Sequence, residues 1–372
     1  MSSGVYLHIP FCRSRCSYCD FAVDVYKNAA IVEDYVSALA AEIENFPTSH
    51  VVDTIYFGGG TPSLLTPAQL EKILKPIYKK FSVAENSEIT MEMNPATVTL
   101  ETLKAYKNLG VNRASFGAQT FDDAELKRLG RRHTAADVRE TVELLRQADF
   151  VDVGFDLIAG LPRQTLKDWE RNLDEALKLK PEHLSLYLLE IVEGTPLAAQ
   201  IRSGRQPLPD EDLAAEMYEM MLEKVSADGY RQYEISNYAL PNYESKHNSK
   251  YWTLSPVFGF GCSAHSFDGG NVRYSNERDA ARYAALIEAG NSAIVDRETI
   301  DVASEAVFLG LRLAKGVDLE QYEAHFGINL IEKYAADFEH LKDSGLIEIA
   351  AGRLKLTRRG FLFSNEVFAV FV

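Results

Sequence analysis

The chain has 372 residues, with 39 Lys and Arg against 54 Asp and Glu for a net charge of -15, and it is 46% hydrophobic and 25% charged. That balance excludes collagen-like, disulfide-scaffold and intrinsically disordered classes, and the length suits two or three structural units. The acidity argues against a protein that grips a phosphate backbone, and no run of about 18 apolar residues exists to span a membrane.

The first residues, MSSGVYLHIPFC, lack the basic and apolar regions of a secretory signal, so cytoplasmic residence is expected, with no nucleic-acid partner and no stable membrane insertion. Runs at residues 5–9, 54–57, 89–93, 114–116, 151–158 and 184–189 then read as strands. Several are apolar nearly throughout, as parallel strands covered on both faces are. Between them lie helical stretches with start signals. Thr66-Pro67-Ala68-Gln69 reads as a capping box with Pro at the first helical position, and Thr134 with Asp137 and Thr165 with Asp168 carry weaker versions. Six strand–helix units in series predict a parallel sheet with right-handed crossovers. A closed barrel needs eight, so the expected fold is α/β, a partial (β/α)6 TIM-like barrel over residues 1–205, with ligands at the carboxyl ends of the strands.

Residues 204–210 read as a connection, 210 to about 227 as a helix, and 230–274 as an irregular aromatic-rich region, so 206–298 is expected to extend the barrel. From 299 to 372 the order is helix, helix, helix, then a hairpin of residues 346–349 and 354–356. That order is the one expected of a smaller, mostly α, winged-helix-like domain. Its basic residues Arg353, Lys355, Arg358 and Arg359 form one small cluster, which without a basic recognition helix points to packing or partner docking rather than DNA.

Cys12, Cys16 and Cys19 fall within eight residues immediately after the first strand. In a reducing compartment such a group reads as metal binding or redox chemistry before disulfides. Three thiolates are one short of closing a zinc site and one short of fully ligating a four-iron cluster, which leaves one iron open to a small molecule. A Cys3His zinc site completed by His8, a disulfide, and three inert thiols are the alternatives.

The spacing Cys-x3-Cys-x2-Cys resembles the signature of the radical S-adenosylmethionine (SAM) superfamily. The resemblance implies a [4Fe-4S] cluster whose open iron is chelated by SAM, an external electron donor, and a 5′-deoxyadenosyl radical released on reduction. Gly58-Gly59-Gly60-Thr61-Pro62 after the second strand lets the backbone approach a ligand closely, and resembles the glycine strip that meets the SAM amino group. The runs from Tyr6 to Cys12, Phe57 to Pro62, Phe116 to Phe121 and Asp156 to Pro162 resemble the oxygen-independent coproporphyrinogen III oxidase branch of that superfamily, over most of the chain. By that match the expected SAM contacts are Tyr6, Tyr18, Gly59, Gly60, Thr61, Glu92, Gln119, Arg131 and Asp156. Their chemistry suits SAM: a guanidinium for its carboxylate, and carboxylates and amides for its ammonium and ribose.

Two features part from the oxidases of that branch. Phe21 stands where they resemble one another in a further Cys, and only 11 residues precede Cys12. Both are similar to the HemW-type heme chaperones, as is His247-Asn248-Ser249-Lys250-Tyr251-Trp252, an HNxxYW motif associated there with heme. A neutral imidazole is a good axial ligand for iron, and Tyr and Trp can face a porphyrin, although aromatics beside a His also commonly just pack. A second conspicuous run, from Gly259 to His265, pairs Cys262 with His265 and reads as a buried strand segment rather than a metal site. The resemblance thus implies a chaperone that binds heme, a [4Fe-4S] cluster and SAM, with His247 toward heme, recipient haemoproteins as partners and room for a homodimer. The alternative it leaves is oxidative decarboxylation of coproporphyrinogen III.

Overall fold

The structure, a computed structural model, describes residues 2–26, 28–47 and 50–371. Six parallel strands follow one another through its centre: β1 (Ser3–Ile9), β2 (Val51–Gly59), β3 (Ser82–Met93), β4 (Arg113–Gln119), β5 (Val153–Ala159) and β6 (His183–Leu188). Val5 lies opposite Ile55, Ile55 opposite Ile89, and Phe116 opposite Phe155. In β1 every residue but Tyr6 is buried, and β5 spares only Asp156. Both faces are covered, so the alternation of a half-exposed strand disappears and the run reads as continuously apolar. The strand expected over 151–158 begins two residues later, with Val151 exposed.

The crossover helices Ala29–Asn45, Pro67–Lys80, Leu100–Asn108, Ala135–Gln147 and Leu166–Lys178 start where their caps say. The Gln69 amide donates to the Thr66 hydroxyl at 3.3 Å while the Thr66 amide donates to the Gln69 side chain at 2.9 Å. Thr134 with Asp137 and Thr165 with Asp168 close the same reciprocal box. Each such cap is worth about 1 kcal/mol. Thr99 with Thr102 forms one more, less legible because a Thr stands at the third helical position in place of Glu or Gln.

The sheet grows beyond the six strands at both ends. Val257–Phe260 runs parallel to β1 and is followed by antiparallel His265–Phe267, Val272–Asn276 and Ile294–Thr299. Asn237–Ala239 and Arg231–Gln232 add to β6. Among the described residues the twelve-stranded sheet has two edges that do not meet, so the barrel is open. The stretch 230–274 is therefore not irregular as expected. Its strands are two to five residues long, too short to show a period, and two of them, Asn237–Ala239 and Val257–Phe260, join the sheet through partners distant in sequence.

One apolar core fills the space between sheet and helices around Tyr35, Phe57, Phe116, Phe155 and Trp169. A second, around Leu311, Leu330, Phe338 and Leu354, belongs to the C-terminal region. There the helices Val302–Arg312, Leu319–Phe326 and Ala335–Asp343 pack on a sheet in which the expected hairpin, Ile347–Ala350 with Arg353–Leu356, gains a third strand, Val317–Asp318. Two residues of the basic cluster, Arg353 and Arg358, are taken up in ion pairs. Arg353 meets Asp318 at 2.8 Å, and Arg358 meets Glu219 and Glu223 on the helix Glu211–Ala227. Among the described residues no helix is long and apolar enough to cross a membrane.

Candidate functional site

The cysteine loop leaves the carboxyl end of β1 and is pinned on both sides. Its return strand pairs Phe11 with Asp24, the Ser17 amide donates to Leu129 O at 2.8 Å, and the Leu197 amide donates to Ser17 O at 2.8 Å. Cys12, Cys16 and Cys19 are all free and half-buried. Arg131 Nη1 lies 3.6 Å from Cys16 Sγ, and Thr61 Oγ1 lies 3.4 Å from Cys12 Sγ. Burial raises the Cys12 thiol and pushes Cys19 up to about 11, so a cationic centre is what would draw their protons off.

The zinc alternative loses its fourth ligand. His8 Nε2 is engaged by Ala22 O at 2.8 Å and Nδ1 by the Tyr6 hydroxyl at 3.1 Å. Cys262 lies apart, fully buried with its thiol 3.5 Å from the Tyr35 hydroxyl. Among the described residues no three His, Cys, Asp or Glu side chains close on a single ion. Thiols that each bind a different iron of a cluster need not converge in that way, and three of them with no fourth protein ligand is the donor set that leaves one iron open.

Facing the loop, Gly59 adopts φ +108°, and a Cβ there would stand 2.6 Å from the His8 ring. The bare backbone leaves its amide free to donate to Glu92 Oε2 at 3.1 Å, while the Tyr56 hydroxyl donates to Glu92 Oε1 at 2.7 Å. Burial pushes Glu92 up to about 7, with Asp156 adding to the rise and these two hydrogen bonds only partly opposing it. Asp156 is pushed up to about 6, again by burial, against a Ser185 hydrogen bond and the charge of Arg131. Arg131 Nη2 donates to Asn94 Oδ1 at 2.9 Å and to Gly117 O. Gln119 ends β4 at φ +67°, a left-handed conformation held where the surroundings over-determine it. The result is a pocket with one fixed cation and two carboxyls held close to neutral pH, fitted to a zwitterionic ligand with hydroxyls.

All of these groups open into one cleft of about 590 Å³. Cys12, Cys16, Tyr18, Cys19, Gly59, Gly60, Glu92, Gln119, Arg131 and Asp156 line its polar half. Tyr6 and Thr61 stand behind that wall: Tyr6 stacks on Tyr56 at 6.1 Å, and buried Thr61 receives Asn94 Nδ2 at 2.6 Å. Sequence reasoning missed Tyr56 and Asn94. Asn94 carries a signal, a polar residue directly after an apolar strand end and before Pro95, whereas Tyr56 reads as one more strand aromatic. The rest of the cleft is mixed: Leu188, Leu189, Ile235, Phe361 and Leu362 line it together with Glu190, Ser236, Ser364 and Asn365, and Arg312 is a cation at its border.

His247 opens the short helix Lys246–Trp252, whose N-terminus is capped by Ser245 and by Glu88, the latter taking the Lys246 and His247 amides at 3.0 Å each. Its ring is 1% exposed, stacks on Tyr56 at 4.9 Å, and has both nitrogens engaged: Nδ1 with Thr54 Oγ1 at 2.8 Å and Nε2 with the Tyr251 hydroxyl at 3.1 Å. Burial lowers it to about 3, so it is neutral. The structure therefore brings His247 to the underside of the pocket and not to its wall. Tyr251 remains 37% exposed, and burial together with the nearby Glu92 charge raises its phenol. Trp252 lies beneath the Arg312 guanidinium at 4.1 Å.

The radical SAM superfamily profile matches residues 6–176, and the HemN C-terminal domain profile matches residues 298–363. The chain is 38% identical to the heme chaperone HemW of Bacillus subtilis (strain 168), over 99% of both chains. It is 36% identical to the heme chaperone HemW of Lactococcus lactis, over 100% of this chain and 97% of the relative. Among solved structures, coproporphyrinogen III oxidase (HemN) from Escherichia coli, described as a radical SAM enzyme, superposes with a TM-score of 0.87 over 100% of this chain and 90% of that one, at 22% identity, a likeness of fold.

Proposed function

The chain belongs to the HemW-type family of the radical SAM superfamily, and from that premise we propose that it is a cytoplasmic heme chaperone that binds a [4Fe-4S] cluster, SAM and heme and hands heme to recipient haemoproteins. Cys12, Cys16 and Cys19 hold the cluster. Tyr18, Gly59, Gly60, Glu92, Gln119, Arg131 and Asp156 receive SAM, with Tyr6 and Thr61 supporting them from behind. When bound and reduced by an external electron donor, the cluster supplies the electron that SAM chemistry requires. Arg131 orients the SAM carboxylate, Glu92 and Asp156 take its ammonium and hydroxyls, and Tyr56 and the Gly59 amide hold Glu92 in line.

One observation carries this reading: the thiol-lined part, which holds Arg131, and the part lined by Leu188, Leu189, Ile235, Phe361 and Leu362, which Arg312 borders, belong to a single cleft. A flat apolar macrocycle with carboxylate arms suits the second half. Decarboxylation of coproporphyrinogen is not favoured, because the relatives at 36–38% identity over nearly the whole chain are named heme chaperones while the oxidase shares the fold alone. The test is anaerobic titration of the full chain with ferric heme, following the Soret band, and then mixing with an apo-haemoprotein. Saturable binding and transfer are expected. The absence of saturable binding removes the reading.

A further inference from the structure

We infer that Asn94 is a positioning residue for the cysteine loop. Its side-chain amide aims the Thr61 hydroxyl at Cys12 and the Arg131 guanidinium at Cys16, and through those two contacts it raises the reduction potential of the cluster the cysteines hold. The inference rests on the [4Fe-4S] reading and adds a residue that is neither a cysteine nor an expected SAM contact.

Asn94 is the first residue past β3 and lies on the wall of the cleft. Its backbone is fixed from both sides: the amide donates to Ser63 Oγ at 3.3 Å, and the carbonyl accepts from the Thr97 amide at 3.2 Å and the Thr97 hydroxyl at 2.5 Å. Its side chain is oriented by chemistry. Arg131 Nη2 lies 2.9 Å away, and a guanidinium only donates, so the amide must turn its oxygen to the Arg. Nδ2 then faces Thr61 Oγ1 at 2.6 Å, where it only donates. Thr61 therefore accepts from Asn94 and keeps its own single proton for Cys12 Sγ at 3.4 Å, which as a ligating thiolate only accepts. On the other side, Asn94 Oδ1 and Gly117 O together occupy Arg131 Nη2, which leaves Nη1 turned to Cys16 Sγ at 3.6 Å.

One neutral amide thus orders two donors, each on a different cluster sulfur. Hydrogen bonds to the sulfurs of an iron–sulfur centre set its potential, and donors favour the more negative, reduced form. Asn94 touches no thiol itself, so its effect runs through Thr61 and Arg131.

The test uses the full chain reconstituted anaerobically with iron and sulfide, without SAM, and titrated with reductant while electron paramagnetic resonance follows the cluster. Asn94→Ala is expected to keep its iron and sulfide and to lower the midpoint. At a fixed applied potential the reduced-to-oxidised ratio falls about 10-fold, about 59 mV for one electron. Thr61→Val removes one of the two donors and lowers the midpoint by part of that shift. In the Thr61→Val background Asn94→Ala shifts it less than in wild type, because one of its two routes is already gone. Asn94→Asp accepts where the amide donated, draws the Thr61 proton away from Cys12, and lowers the midpoint at least as far as Ala. An unchanged midpoint in Asn94→Ala overturns the inference, as does a shift of equal size with and without the Thr61 hydroxyl. Where Asn94→Ala takes up no iron, Asn94→Asp and Thr61→Val decide, and unchanged midpoints in both overturn it. A wild-type cluster whose potential none of these variants moves leaves the cluster reading standing. Wild type that assembles no [4Fe-4S] cluster removes both.

Discussion

The Tyr56 hydroxyl and Glu92 Oε1 lie 2.7 Å apart, one strand from each other, and this hydrogen bond joins two parts of the molecule. Below it, Tyr56 stacks on His247 at the start of the HNxxYW helix; above it, Glu92 Oε2 takes the Gly59 amide at the rim of the glycine strip. The pocket floor and the proposed heme motif thus share one pair of side chains.

Glu92 makes the stability of the ligand-free protein depend on pH. Its folded value is about 7 against an ordinary 4.5, because burial penalises the carboxylate. Between those values the folded chain holds a proton that the unfolded chain has lost, so the contribution is fully present below 4.5 and is lost as pH rises through about 7. Asp156, at about 6 against 3.8, acts in the same direction. Melting temperature is therefore expected to fall between about pH 4 and 7, with a shallower fall in Glu92→Gln. Parallel curves for the two proteins would refute the assignment. A bound SAM ammonium favours the carboxylates, so SAM affinity should rise over the same window in wild type and less so in the variant.

Gly59→Ala should be costly beyond the loss of an ordinary turn. The backbone is left-handed at φ +108°, and the new methyl group would press on the His8 ring, which is itself held by Ala22 and Tyr6. A loss of about 1–3 kcal/mol is expected by chemical denaturation, together with weaker SAM binding. A variant as stable as wild type would show that the strip has another conformation within reach.

The four cysteines separate cleanly. Cys12, Cys16 and Cys19 are half-buried and outside the apolar core, so each change to Ala should alter apo stability by no more than about 1 kcal/mol while reducing the iron and sulfide taken up on anaerobic reconstitution. Cys262→Ala should do the reverse. It empties a fully buried position beside Tyr35, costs about 1–2 kcal/mol, and leaves iron uptake intact. Iron uptake lost in Cys262→Ala and retained in Cys16→Ala would reassign the cluster.

Much of this site was legible because it is local. The cysteine spacing, the glycine strip, the Thr66 capping box and the six covered strands are each decided within a dozen residues, and each is present, though β3 begins at Ser82 rather than 89 and β5 at Val153 rather than 151. The run from Gly259 to His265 read as a buried strand segment, and a buried strand does lie at Val257–Phe260, but its pairing with β1 was not legible, since nothing within a few residues says that β1 still has an open edge. The orientation of His247 was not legible either. Whether its ring faces a ligand or a Thr54 hydroxyl depends on β2, nearly two hundred residues away. Tyr56 and Asn94 escaped for the same reason, as their roles appear only once β3 brings Glu92 and Asn94 beside β2.

Arg312 offers a last test, because it bears on stability and on the proposed cargo separately. Its guanidinium stacks on Trp252 at 4.1 Å and stands 3.7 Å from Glu234, whose side chain is 1% exposed. The other Glu234 oxygen already accepts from the Ser236 amide at 2.9 Å and from Asn237, so the carboxylate is partly compensated without the Arg. Arg312→Met keeps length and apolar cover over Trp252 but leaves one carboxylate oxygen without its counter-charge, at an expected cost of about 1–3 kcal/mol. Adding Glu234→Gln should recover most of that loss in a double-mutant cycle, since the buried charge is gone. Heme retention should not recover with it, because the donor toward a propionate is missing in both variants. If the double variant regains heme together with stability, Arg312 acts only as the partner of Glu234 and the cation at the border of the cleft has no part in holding cargo.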